Sequence, residues 1–124
     1  MQDQPAARDL VVAVREFIES VAMPNLQGHA AFHARVAANA LAIVERELSI
    51  APDANAAEHA RLTALLDRDG TLEDLNRALC AAIREGRVTL DTQGLADHLW
   101  ETTLAKLAID QPRYAAYRRA IGEA

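Results

Sequence analysis

The stretch Phe32–Glu47, FHARVAANALAIVERE, decides how the chain folds. Phe32, Val36, Asn39, Ile43 and Arg46 recur at the spacing of one helical seam, and Ala37, Leu41, Val44 and Leu48 make a second, apolar seam beside it. This pattern predicts a helix from about His29 to Ile50 that stops before Pro52. Arg35 lies one turn before Asn39, so Arg35, Asn39 and Arg46 border or enter the face expected to be buried. Such groups can serve packing alone: an arginine stem covers apolar surface while its head reaches water, and a half-buried Asn bonds a neighbouring carbonyl. Two Arg and an Asn on one side also suit an anionic ligand or an acidic partner, because guanidinium offers a fork of donors.

The same periodicity extends in both directions. Leu10, Val14, Phe17 and Val21 predict a first helix that starts near Pro5 and ends before Pro24, with PNLQG as a loop. A third helix is expected from Asp53 through Leu62, Leu65 and Leu66, ending at the DRDG turn. Thr71 to Asp74 reads as a variant of the capping box. It opens a fourth helix with Leu72, Leu75, Leu79 and Ile83 as its buried stripe and Gly86 as its stop. RVTLDTQG reads as a loop. A fifth helix follows from about Gln93 to Ile109, carrying Leu95, Leu99, Trp100, Leu104 and Leu107. Pro112 breaks it, and PRYAAYRRAI forms a short last helix. The expected fold is all-α: one domain over residues 1–124, a bundle of about five helices plus the short C-terminal one.

Bulk composition agrees and excludes several functions. A chain of 124 residues with 51% apolar and only 4% aromatic residues must build its core from Leu, Val, Ile and Ala. A net charge of −5 with no polybasic tract gives no footprint for nucleic acid. MQDQPAARDL has no basic segment leading into an apolar run, and the longest uncharged stretch, Ser20 to Ala34, contains Pro24, Asn25, Gln27 and Gly28. Neither a signal peptide nor a membrane span is expected. With the lone Cys80, this points to a cytoplasmic protein.

Catalytic signatures are missing. There is no glycine-rich phosphate loop, no nucleophile elbow and no paired-cysteine site. His29 and His33 stand one turn apart, but no third ligand presents itself, so no metal site is assigned. Cys80, among Ala and Leu, reads as a small core residue; His59 and His98 read as surface or boundary residues. KLAIDQPRY, Lys106–Tyr114, raises a question of charge. Asp110 sits near a helix C-terminus, where the dipole disfavours an anion. Either Arg113 or the N–H groups of the next helix compensate it, or a partner's basic residue does.

FHARVAANALAIVERE, together with the later LAKLAIDQPRY, resembles a small all-helical bacterial family labelled as a domain of unknown function. Its members are encoded beside aminoglycoside-phosphotransferase-like kinases and acyl-CoA dehydrogenases. The resemblance extends over most of the chain, including QDQPAARDLVVAVREFI. In pathways such as levulinic acid catabolism, a similar small protein works with a kinase that phosphorylates the hydroxyl of a 4-hydroxyacyl-CoA. The resemblance implies a non-catalytic accessory subunit, with no cofactor of its own and with the kinase, and beyond it the dehydrogenase, as partners. It makes His33, Arg35, Asn39, Arg46, Lys106, Asp110, Arg113 and Tyr114 candidates for a partner or ligand surface. Two other readings stand beside it. One is a helical acyl-CoA-binding protein using His33, Arg35, Asn39 and Lys106; the other is a structural protein that self-associates through its apolar faces.

Overall fold

The computed structural model describes residues 3–123, and its regular structure there is entirely helical. Five α-helices follow in order: α1 (Ala7–Phe17), α2 (Gly28–Leu66), α3 (Leu72–Arg84), α4 (Leu95–Asp110) and α5 (Ala115–Ala120). The all-α fold read from the sequence is the fold found. The chain groups into two compact units, Met1–Ile50 and Ala51–Ala124, and α2 contributes to both.

The first unit is an antiparallel pair. α1 passes into a π turn, Ile18–Ala22, and a 3₁₀ turn, Met23–Asn25. The Asn25 amide closes this corner by donating to the Val21 carbonyl at 2.7 Å. α2 then returns along α1. Arg8 donates to Glu45 Oε1 at 3.0 Å and to the Ser49 hydroxyl at 2.9 Å, while Arg15 donates to Glu45 Oε2 at 2.9 Å. One carboxylate thus holds two arginines from α1. Glu19 and Glu45 together raise the Arg15 pKa further, Glu19 first, so this guanidinium stays charged.

The inward line of α2 is built from small residues. Ala38 is buried, and Ala31, Ala34, Leu41, Ala42 and Glu45 are half-buried around it. Alanines let the α1 backbone approach closely, and larger side chains are displaced to the flanks. This corrects the expected burial of the Phe32 seam: Phe32 is 62% and Val36 49% exposed.

The expected break before Pro52 is also absent, because α2 continues through it to Leu66. Pro52 removes one hydrogen bond to the Leu48 carbonyl and crowds that carbonyl, a cost of about 3 kcal/mol in a helix interior. Ala51, Ala54, Ala56 and Ala57 around it favour the helix on both sides.

The second unit holds a leucine core. Leu62, Leu75, Leu79, Ala82, Val88 and Leu95 are buried together, with Leu65, Leu66 and Leu72 packed against them. Asp67 in the left-handed conformation, φ 49°, ends α2. The Thr71 hydroxyl caps α3 as the sequence signals, accepting from the Asp74 N–H at 3.1 Å and donating to its carboxylate at 2.8 Å. Residues 87–94 form the expected loop, anchored by buried Val88. Gly94, at φ 95°, is the N-cap of α4, a conformation that favours glycine.

Two expected core positions, Ile83 and Cys80, turn outward. Ile83 is 41% exposed while Ala82 is fully buried, so the α3 stripe is rotated by one residue at its end. Cys80 is exposed. On α4, Leu99 and Trp100 are 42% and 55% exposed, because the inward line is Leu95, His98, Thr102, Ala105 and Ile109.

Candidate interaction surfaces

The motif residues divide between the two units. In the first, His33, Arg35 and Asn39 are exposed, and Arg46 is half-buried. Phe32 stacks edge-on against His33, with ring centroids 5.5 Å apart. Arg46 follows Glu45 by one residue, so it lies about 100° around the helix from the line that faces α1. Phe32, Val36, Asn39 and Ile43 share that flank at helical spacing. His33 projects to the other flank. The arrangement is an exposed apolar strip with Arg35 and Asn39 on it, rather than polar groups sunk into a core.

In the second unit, Lys106, Asp110, Arg113 and Tyr114 are all exposed. Leu99, Thr103, Lys106 and Asp110 form one solvent-facing line on α4, with Trp100 at its edge. Sequence reasoning named Leu99 and Trp100 only as apolar members of the fifth helix and did not single them out as surface residues. The signal was there in the neighbouring line Leu95, His98, Thr102, Ala105, whose small and apolar members compete for the inward side.

Asp110 is the last residue of α4 and makes no ion pair among the described residues. The last turn of α4 contains no basic residue either. Arg113, expected to compensate it, does not reach it. A carboxylate here faces the negative end of the helix dipole, which costs roughly 0.3–1 kcal/mol at an exposed site.

His98 is the buried polar residue of this unit, 2% exposed, and its Nδ1 has no partner among the described residues. This overturns its reading as a surface or boundary residue. Burial lowers its pKa below the ordinary imidazole value, the nearby Arg61 charge lowers it further, and Glu58 opposes them in part. The ring is therefore neutral, as a small polar body in an apolar layer must be. Arg61 also donates to the Thr102 hydroxyl at 3.3 Å. Beside it, Arg61, Ala64, Leu65, Gln93, Gly94 and Asp97 line a surface recess of about 440 Å³, and none of the eight motif residues borders it.

Among the described residues, no group of three or more His, Cys, Asp or Glu side chains could hold a metal ion. No helix among them is long and apolar enough to cross a membrane. The exposed features of the motif regions are an apolar strip with arginine and asparagine on one unit and, on the other, an indole on the helix that ends in an unpaired carboxylate. A family model described as a domain of unknown function (DUF6285) matches residues 24–114, which contain both motifs. No curated protein and no solved structure matches the chain.

Proposed function

We propose, on the premise that this chain belongs to the domain-of-unknown-function family DUF6285, that it is a non-catalytic accessory subunit of an aminoglycoside-phosphotransferase-like kinase acting on hydroxyacyl-CoA. The observation that carries the reading is Asp110, exposed at the C-terminal end of α4 without an ion-pair partner among the described residues. A basic residue of a partner would relieve its clash with the helix dipole. Trp100 and Leu99 on the same side would supply the apolar anchor that such an interface needs, since tryptophan is the residue most enriched where binding energy concentrates. Lys106 and Tyr114 would complete the rim. In this scheme ATP, Mg²⁺ and the base for the substrate hydroxyl belong to the kinase, because phosphoryl transfer needs positioned phosphates and metal that this chain does not offer. The chain would act by ordering the kinase or completing its acyl-CoA site, and the acyl-CoA dehydrogenase would act on the phosphorylated product.

The test is co-expression with the neighbouring kinase and an assay of ATP-dependent phosphorylation of 4-hydroxyvaleryl-CoA with and without this chain. Activity that depends on the chain, and that falls with Trp100→Ala and Asp110→Ala while both variants stay folded, supports the proposal. A kinase that is fully active alone overturns it.

A further inference from the structure

The first unit leaves an apolar face uncovered. Among the described residues of this unit, which ends at Ile50, only Ala38 is buried. The α1 stripe Leu10, Val14, Phe17 and Val21 is 54%, 51%, 57% and 50% exposed. On α2, Val44 and Leu48 are each 42% exposed, Ala37 is exposed and Leu41 half-buried.

These two stripes form one face. An antiparallel helix pair has an approximate dyad normal to the plane of its axes, so equal angular offsets from facing residues fall on the same flank. Arg15 and Glu45 face each other at 2.9 Å. Val14 and Val44 each precede them by one residue, about 100° of rotation, and therefore share a flank. Continuing at helical spacing sets Leu10 level with Leu48, Phe17 with Leu41, and Val21 with Ala37. The result is an apolar ladder of four rungs on the flank opposite Phe32, Val36 and Asn39.

The outer edges of this ladder are mostly small: Ala6, Ala13 and Ser20 on the α1 side, His33, Ala40 and Glu47 on the α2 side. Small edges admit another pair of helices closely, and they carry too little charge to select a charged foreign partner. The ladder's own near-symmetry makes it self-complementary, which is what an isologous contact requires. Its exposed apolar area is on the order of 600 Å² per copy before the edges are added, close to the roughly 800 Å² per partner of a standard interface. From this we infer that a second copy of this chain covers the face, so that two hairpins close a four-helix bundle about a twofold axis. α1 and the first half of α2 then acquire the core that one hairpin cannot build.

The inference is independent of the kinase surface proposed on α4, and the mass measurement that tests it needs no kinase. The full chain, 13.5 kDa, is measured by sedimentation equilibrium across a concentration series. A mass of twice that value is expected for the wild type. Val14→Glu puts a charge into the centre of the ladder and is expected to weaken the dimer by at least about 100-fold. Phe32→Glu, on the other flank, is expected to leave it intact. A wild type that is monomeric throughout overturns the inference, as does a dimer that survives in folded Val14→Glu or is lost in Phe32→Glu. Should Val14→Glu fail to fold, hydrogen exchange of the wild type decides. Protection of α1 that rises with protein concentration supports the second copy, and concentration-independent protection refutes it. Protection of α1 gained only when the kinase is added makes the kinase the occupant and overturns the inference.

Discussion

Leu75 and Ile83 occupy equivalent places in the stripe that the sequence of α3 announces, yet the structure separates them. Leu75 is fully buried among Leu62, Leu79, Ala82, Val88 and Leu95, whereas Ile83 is 41% exposed. Leu75→Ala removes three buried carbons, worth about 2.4 kcal/mol at ~0.8 kcal/mol each. The cavity left behind adds roughly 1–2 kcal/mol, for a total of about 3–4 kcal/mol. Ile83→Ala loses about 60% of a similar transfer term and leaves no enclosed cavity, a total of about 1–1.5 kcal/mol. The difference of about 2 kcal/mol corresponds to a roughly 30-fold difference in the unfolding constant. Urea titration followed by the fluorescence of the one tryptophan, Trp100 on α4, reads the second unit specifically. Equal losses for the two variants, or a loss below about 1.5 kcal/mol for Leu75→Ala, would refute the burial argument.

Pro52→Ala should stabilise the chain by about 1–2 kcal/mol: it restores a bond to the Leu48 carbonyl, less the rigidity that proline gives the unfolded chain. A lower denaturation midpoint for that variant would contradict a continuous α2. His98 should make stability depend on pH. Its folded pKa lies below the ordinary value of 6.5, so its contribution is complete above pH 6.5. That contribution declines as the pH falls toward the folded value, because the unfolded chain takes up the proton first. Replacing it in His98→Leu should flatten stability over that acidic window, and a slope identical to wild type in titrations of unfolding would count against it. Thr71→Ala should cost about 1 kcal/mol through loss of the cap on the Asp74 N–H, whereas Thr71→Ser should cost much less. Thermal unfolding of the pair distinguishes a cap from a packing effect.

Periodicity and turn chemistry carried the helical class, because Leu72, Leu75 and Leu79 fall at helical spacing and Thr71 and Gly86 bound α3 in the way local sequence demands. Two kinds of information were not local. The continuation through Pro52 depends on a sum of small propensities across neighbouring alanines outweighing one lost bond, which a rule about proline does not weigh. The choice between adjacent stripes, Ala82 over Ile83 and His98 over Leu99, depends on what lies opposite, and a single helix does not contain that information. For the candidate site, the motifs marked residues that are mostly exposed, but Trp100 and Leu99 entered only as apolar members of the helical repeat, which does not say which of its sides faces out. In the first unit the reverse held: alanines took the inside and the large side chains were left out.

The sharing of Glu45 has a consequence for the axial phase of the hairpin. Arg8 and Arg15 stand about two helical turns apart on α1, and they claim opposite oxygens of the same carboxylate. A slip of α1 along α2 by one turn, about 5.4 Å, shifts both guanidinium groups together, so the carboxylate cannot keep both of its bonds. Intermediate positions are no refuge, because each oxygen has its own arginine. One side chain thus acts as a two-pronged detent, and the alignment of Leu10 with Leu48 and of Val14 with Val44 inherits its setting from an acid that lies outside their stripe.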